Sequence, residues 1–219
     1  MYNKLLINFK KRFSSIPIIA GSTTIVKFQD FFIFAINKSK YWKKRNNMTQ
    51  IGFSCVGGRI EQKESPLRAA LREVKEEILQ EIKIMPLKDT THIKENNEKG
   101  ILKIKDGPAY VVEFISPGMP GDPNKDGKWG LLLFIFIGEI KKEPFHSDEI
   151  PGIIFVKKDN FDILYKESIT YSELNNNGNF IKSNETIPED AIFKPTFSGK
   201  IISKLKINPT KLFENGKDN

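Results

Sequence analysis

The sequence predicts an α/β domain in which a mixed β-sheet is covered by helices. Two observations lead to this prediction: one strong amphipathic helix lies at residues 65–82, and short apolar segments typical of strands both precede and follow it. The 219 residues are enough to bury one core without disulfides or metals. A content of 39% hydrophobic and 28% charged residues is typical of a globular protein and excludes a collagen-like or wholly disordered chain.

Residues 1–21 are predicted to form a basic N-terminal arm. Leu5, Leu6, Phe9 and Phe13 recur at helical spacing among lysines and an arginine, which predicts an amphipathic helix. We expect this helix to dock on the domain, and contact with a membrane surface or a nucleic acid is the alternative.

The other elements follow from apolar runs and from the turn residues between them. Strands are predicted at residues 23–36, 52–56, 82–87, 100–104, 109–115, 131–140 and 153–156, and a second helix at 158–166. Loops are predicted at residues 38–50, 116–130 and 173–190. The run at 131–140 is apolar on both faces, which indicates a central strand.

The helix at 65–82 has clear boundary signals. Ser65 is a good N-cap, and Pro66 suits the first helical position because its missing N–H needs no partner there. Residues recurring at helical spacing are expected to be buried, namely Leu67, Ala70, Leu71, Val74 and Ile78.

Charge and cysteine content narrow the class of protein. The formal net charge of +8 favours anionic partners such as nucleotides, nucleic acid or a membrane surface. A single cysteine, Cys55, suits a reducing compartment, and we expect a cytoplasmic protein. The longest apolar runs are far shorter than the ~20 residues of a membrane span.

Acidic side chains cluster on the helix. Glu73, Glu76 and Glu77 fall within an arc of roughly 100° and follow a diglycine, Gly57-Gly58. Such crowding of like charges destabilises a helix unless cations relieve it, and carboxylates suit Mg²⁺ or Mn²⁺ better than zinc. Arg72 is placed to hold an acid by a charge-assisted bond. The alternative is a solvated acidic helix face.

The spacing of these residues resembles the Nudix box, which runs G-x5-E-x7-R-E-U-x-E-E-x-G-U with U aliphatic. Seven of the nine defined positions match, and they are Gly58, Glu64, Arg72, Glu73, Val74, Glu76 and Glu77. The two departures are Leu79 in place of glycine and Gln80 in place of an aliphatic residue. Because that glycine would cap the helix, its loss is expected to extend the helix or change its exit.

The resemblance implies the Nudix fold, an α/β fold with a mixed β-sheet sandwiched between α-helices. It covers residues 22–167, and residues 168–219 are then a C-terminal extension that is partly loop. It also implies a hydrolase acting on phosphoric anhydride bonds: a metal-dependent pyrophosphohydrolase that uses Mg²⁺ or Mn²⁺ to cleave a nucleoside diphosphate linked to another moiety.

The resemblance assigns roles to individual residues. Metal ligands would be the carboxylates of Glu73, Glu76 and Glu77 with the carbonyl of Gly58. Glu64 and Arg72 would orient and support them. We favour Glu149, in the loop before the last strand of the domain, as the general base, with Glu76 or Glu77 as rivals.

The substrate is less defined than the reaction. The candidate substrate contacts, through stacking and charge, are Tyr41, Trp42, Lys43, Lys44, Arg45 and Trp129. For residues 41–45 the alternative is a solvated loop with a partly packed aromatic pair. Residues 116–130 form either a lid, with Asp122 and Asp126 as further contacts, or a long hairpin connection.

We expect a small nucleotide derivative as the partner of this site, with nucleic acid not favoured and a homodimer left open. Two other functions remain as alternatives: a Nudix-fold module that senses a nucleotide without turnover, and an enzyme acting on RNA 5′ ends.

Overall fold

The computed structural model describes residues 2–104, 106–117, 127–176 and 178–215. The α-helices of these residues are α1 Tyr2–Arg12, α2 Pro66–Ile78, α3 Tyr171–Asn175, α4 Phe197–Leu205 and α5 Pro209–Asn215. Two 3-10 helices lie at Ser39–Tyr41 and Lys158–Tyr165. No helix of the described residues is long and apolar enough to cross a membrane.

The strands account for most of the chain before and after α2. In chain order they are β1 Ile18–Phe28, β2 Phe31–Ile36, β3 Lys43–Arg45, β4 Met48–Ser54, β5 Val56–Arg59, β6 Lys83–Ile84, β7 Thr90–Ile93, β8 Lys99–Leu102, β9 Tyr110–Pro117, β10 Lys128–Glu139, β11 Gly152–Lys157, β12 Ile169–Thr170, β13 Phe180–Ser183 and β14 Ala191–Pro195.

These strands form one mixed sheet, whose main order is β12-β14-β4-β2-β1-β10-β9-β7-β8. At its centre β1 and β10 run parallel, with Ile18 opposite Gly130 and Lys27 opposite Glu139. β10 is buried along its length except at its two ends, as its continuous apolar run predicts. β5 pairs with residues 21–24 of β1, and β2 pairs with residues 26–28.

Helices cover both faces of the sheet. On one face, α1 and α2 pack on side chains such as Phe134 and Ile153. On the other, α4, α5 and the second 3-10 helix pack on side chains such as Phe34 and Ile135. The prediction of a mixed β-sheet sandwiched between helices is therefore confirmed.

The N-terminal helix docks on the sheet, which confirms the favoured alternative. Phe9 is fully buried, and its cluster includes Phe134 of β10. Arg12 at the end of α1 pairs with Glu113 of β9. β1 begins at Ile18, so the last residues of the predicted arm already belong to the sheet.

The predicted helix at 65–82 is shorter than expected. It begins at Pro66 behind Ser65, whose side chain accepts a hydrogen bond from Arg68 N–H at 3.2 Å, and it ends at Ile78. Leu79 takes the left-handed conformation with φ 54° despite its side chain. The helix therefore ends where the glycine of the Nudix box would end it, and the replacement by leucine does not lengthen it. The expectation that Leu71 is buried is wrong: its side chain is 40% exposed, and Ala69 is buried instead.

The predicted loops contain regular structure. Residues 38–50 hold the first 3-10 helix, β3 and the start of β4, and residues 173–190 hold the end of α3 and all of β13. The second predicted helix is a 3-10 helix. In the 116–130 segment, β9 runs to Pro117 and β10 starts at Lys128, while Asp122 and Asp126 lie outside the described residues.

Candidate active site

The diglycine lets β5 lie directly against the acidic helix. A Cβ on Gly58 would lie 2.3 Å from the Oε1 of Glu73, so only glycine leaves room for this carboxylate. Gly57 has φ +153°, and a Cβ there would meet the backbone of β1 at 2.4 Å. The two glycines therefore place the carboxylates of α2 against the backbone of a central part of the sheet.

Arg72 joins the acidic side chains of the site. Its Nε donates to Glu64 Oε1 at 2.9 Å and its Nη2 donates to Glu64 Oε2 at 3.1 Å, a two-point bond that fixes the guanidinium plane. Its Nη1 donates to Glu73 Oε1 at 2.8 Å and to Glu76 Oε2 at 2.7 Å. Arg72 thus orients two carboxylates of the cluster, and Glu64 holds Arg72 in place.

Glu73 and Glu77 carry the buried charge of the site. Burial raises the pKa of Glu73, and the Arg72 hydrogen bond opposes this shift. Burial also raises the pKa of Glu77 to about 8, with smaller contributions from the charges of Glu73, Glu149 and Glu76. A hydrogen bond from the Gly57 N–H at 3.0 Å only partly offsets this. Glu77 is therefore a carboxylate with too little positive charge around it.

The loop between β10 and β11 brings Glu149 to the cluster. The N–H groups of Phe145 and Ser147 donate to the carbonyls of Ile78 and Glu77, at 3.2 Å and 3.0 Å. These bonds satisfy carbonyls left free at the end of α2. The Glu149 N–H then donates to Ser147 Oγ at 3.1 Å, and Glu149 lies exposed beside Glu77. The end of the helix thereby positions the predicted base.

The donor set fits a hard divalent cation. Three carboxylates, those of Glu73, Glu76 and Glu77, lie on one helix face, and Glu77 has no cationic partner among the described residues. Among the described residues no three His, Cys, Asp or Glu side chains are arranged as a metal-binding group. Arg72 instead holds Glu73 and Glu76 by hydrogen bonds. The chemistry of the donors fits the ion, and their arrangement is that of an arginine-neutralised cluster.

A cleft of about 940 Å³ opens beside these acids. Its acidic lining residues are Glu77 and Glu149. Its basic lining residues are Lys38, Lys40, Lys43, Lys194 and Lys200, and its aromatic ones are Tyr41, Trp42, Phe114, Trp129 and Phe197. The cleft thus combines acids, cations and flat rings, which together suit a phosphate-bearing, ring-containing ligand.

The structure brings some of the sequence-predicted residues together and leaves others apart. Trp129 lines the cleft, although it is only 6% exposed. Tyr41, Trp42 and Lys43 line the cleft, whereas Lys44 and Arg45 are exposed on β3 and do not line it. Alternation along the strand explains this for Lys44, whose side chain points to the face opposite that of Lys43. Arg45 shares the face of Lys43 but lies two residues further along, at the end of β3.

Sequence reasoning missed one wall of the cleft. Lys194, Phe197 and Lys200 come from β14 and the start of α4, in the segment expected to be an extension. β14 pairs in parallel with β4, with Lys194 opposite Gly52. The only local signal was the short apolar run at 191–193.

Comparison with known proteins identifies the domain. The NUDIX domain family matches residues 30–161, which is 132 of the 219 residues. A search of curated proteins found no match.

Solved structures that resemble the chain include Nudix and MutT proteins. A MutT protein from Methanosarcina mazei Go1 is 17% identical over 66% of this chain and 80% of its own, with a TM-score of 0.41. A NUDIX-family hydrolase from Clostridium perfringens is 15% identical over 66% and 84%, with a TM-score of 0.40. A mutator MutT protein from Bacillus halodurans is 19% identical over 67% and 71%, with a TM-score of 0.37. Because these TM-scores are low, the assignment rests on the domain match.

Proposed function

Because the chain belongs to the NUDIX family and is a hydrolase acting on phosphoric anhydride bonds, we propose that it is a metal-dependent pyrophosphohydrolase cleaving a nucleoside diphosphate linked to another moiety. One observation carries this proposal: a carboxylate cluster, in which Glu77 has no cationic partner among the described residues, opens into a cleft lined by lysines and aromatic rings. Carboxylates suit the cations that accompany a diphosphate, and the rest of the cleft suits a nucleotide.

Glu73, Glu76 and Glu77 would hold Mg²⁺ or Mn²⁺ together with the carbonyl of Gly58. When bound, the cation would lower the pKa of water and neutralise charge on the phosphoryl oxygens. Arg72 keeps Glu73 and Glu76 oriented for this task, and Glu64 anchors Arg72 through its two-point bond.

Glu149 is the favoured general base. It is exposed in the cleft beside Glu77, where its carboxylate can accept a proton from the attacking water. Glu76 and Glu77 are the rivals, and each would lose the role if it were bound to a cation on both oxygens. Trp129 lines the cleft and would contact the substrate.

An activity panel tests the reaction class. The full chain would be incubated with Mg²⁺ or Mn²⁺ and with nucleotide sugars, ADP-ribose, dinucleoside polyphosphates, nucleoside triphosphates and capped RNA. We expect metal-dependent release of a nucleoside monophosphate from one small substrate. Tight binding without product would instead favour a sensor, and product from capped RNA alone would favour an enzyme of RNA 5′ ends.

A pair of variants tests the metal ligands. Glu76→Gln should lower metal-dependent turnover at least about a hundredfold, because it removes one carboxylate from the cation site. Glu81→Gln is the matched control, since Glu81 is an exposed glutamate just beyond the end of α2. Unchanged turnover in Glu76→Gln would remove this residue from the metal site.

A further inference from the structure

The wall of the cleft formed by β14 and α4 lies outside the matched NUDIX domain, which ends at residue 161. The wall is firmly attached to the domain. Thr196 donates its N–H and its Oγ1 hydroxyl to the Phe53 carbonyl, at 2.8 Å and 3.0 Å. Ser198 Oγ accepts the Cys55 N–H at 3.1 Å, and Ile202 is fully buried in the core. The backbone of the wall is therefore part of the folded domain.

The wall adds positive charge on a side of the cleft away from the acids. Lys194 on β14 and Lys43 on β3 flank β4 from its two edges, opposite Gly52 and Gln50. Lys194 is half-buried, and neither lysine forms an ion pair with another described residue. Both ammonium groups are therefore free of a protein counter-charge among the described residues. An anionic ligand would supply that charge.

The distance along the strand separates these lysines from the predicted metal site. Glu77 accepts a hydrogen bond from Gly57, whereas Lys194 lies opposite Gly52, five residues earlier along the chain from β4 to β5. At about 3.3 Å per residue these two backbone positions are at most roughly 16 Å apart. This separation places the two lysines towards the end of the cleft away from the carboxylates, where they face a different part of the ligand.

Phe197 gives this wall a second feature that packing does not explain. It has φ 41°, a conformation that an aromatic residue rarely adopts, and its side chain is 51% exposed in the cleft. The hydrogen bonds of Thr196 and Ser198 on either side hold it there. The exposed ring is thus held at the cleft, where it can pack against a flat group of a ligand.

We infer that β14 and the start of α4 form a second subsite, which binds a further phosphate of the substrate away from the cleaved anhydride. Lys194 and Lys43 contact this phosphate, and Phe197 packs against the ring system next to it. The inference rests on the proposed function and narrows its substrate class to small nucleotide derivatives that carry additional phosphate beyond the cleaved diphosphate.

Binding measurements in EDTA test the subsite without turnover. The probes are diadenosine tetraphosphate, which carries additional phosphates, and diadenosine diphosphate, which does not. Lys194→Gln and Lys43→Gln should each raise the Kd for the tetraphosphate about tenfold and leave the Kd for the diphosphate unchanged. Lys44→Gln is the matched control, because Lys44 is exposed on β3 but does not line the cleft.

An equal rise in Kd for both probes would overturn the inference, and so would an equal rise in Kd in Lys44→Gln, because both results indicate a general effect of charge. If the variants weakened the binding of 5′-triphosphorylated RNA and of neither dinucleotide, the choice of a small ligand would be overturned. Two variants on different strands and a melting temperature for each exclude misfolding as the cause.

Steady-state kinetics are the second test of the subsite. With Mg²⁺, Lys194→Gln should raise the KM for the phosphate-rich substrate about tenfold and leave kcat unchanged. A fall in kcat with constant KM would overturn a binding role for Lys194. If no substrate of the panel is cleaved, the proposed function fails, while the binding arm still decides whether the subsite exists.

Discussion

Two regions of the molecule bury a carboxylate, and the pKa of the carboxylate is raised in one and lowered in the other. In the cleft, Glu77 is partly buried with one backbone N–H as its donor, and its pKa is raised to about 8. Under α1, Glu113 is only 4% exposed, but it contacts both His92 at 2.9 Å and Arg12. Burial alone would raise the pKa of Glu113, and these hydrogen bonds lower it to about 2.

The difference separates a functional charge from a structural one. Glu113 has its partners within the fold: its ion pair with Arg12 joins α1 to the sheet, and its contact with His92 joins β9 to β7. Glu77 lies among Glu73, Glu76 and Glu149, and an external cation would complete its surroundings. The neutralised carboxylate of Glu113 stabilises the protein, whereas the poorly neutralised carboxylate of Glu77 destabilises it, as expected of a site built to bind.

The largest effect is expected for Glu77→Gln. Turnover should fall at least about a hundredfold because a carboxylate ligand is lost, while the protein becomes more stable by about 1 kcal/mol because a poorly compensated charge leaves the interior. Thermal unfolding with and without Mg²⁺ checks the second part. Mg²⁺ should raise the melting temperature of the unmodified protein more than that of the variant, and an equal rise in both would place the cation elsewhere.

Gly58→Ala should damage the same region through sterics. The new Cβ would meet Glu73 Oε1 at 2.3 Å, so the carboxylate must move, and because this is the end of a flexible side chain the cost is about 1 kcal/mol in the free energy of unfolding. Turnover should fall as well, because Glu73 is displaced. Gly100→Ala is the control, since a Cβ at Gly100 has no atom within 4 Å. Equal denaturation midpoints for the two variants would contradict the close contact of β5 with α2.

Glu113→Gln should show the opposite pattern to Glu77→Gln. Losing the charge leaves Arg12 and His92 without their shared partner and should cost about 2 kcal/mol of stability at neutral pH, with turnover retained. The pH dependence has a defined sign. Because the folded pKa is lowered, the contribution of Glu113 is present above the unfolded value of 4.5 and is lost as pH falls towards about 2.

Urea unfolding of both proteins between pH 7 and pH 2 measures this dependence. The stability of the unmodified protein should decline more steeply below pH 4.5 than that of Glu113→Gln, and the two should converge at the acidic end. Parallel curves would mean that Glu113 is not held in its charged form by Arg12 and His92.

The acidic end of the cleft could be predicted because it is local in sequence. Gly58, Glu64 and the cluster at 72–77 lie within 20 residues, and helical geometry alone brings the carboxylates to one face. The local spacing could not show that Arg72 holds two carboxylates by hydrogen bonds. It also could not show how deeply Glu73 is buried, because that depends on β5 crossing the helix.

The opposite wall could not be predicted, because its contacts are distant in sequence. Lys194 lies beside Gly52, 142 positions away, through a parallel strand pair that leaves no local signal. The segment at 173–190 is polar and was expected to be loop, yet β13 forms there by pairing with β11. These strands form because they pair with strands distant in sequence, and local propensity does not indicate them.

The smallest effect is expected at the end of α2, where Leu79 stands in place of the glycine of the Nudix box. Its φ of 54° strains a residue with a Cβ, and its side chain is 56% exposed, so little packing is lost on truncation. Leu79→Gly should therefore stabilise the protein by about 1 kcal/mol, measured by urea unfolding, with turnover unchanged. Leu71→Gly, which removes a 40% exposed leucine inside the same helix, should instead destabilise it. If Leu79→Gly destabilised the protein too, the left-handed cap would not be the end of this helix, and the carbonyls that dock the Glu149 loop would need another arrangement.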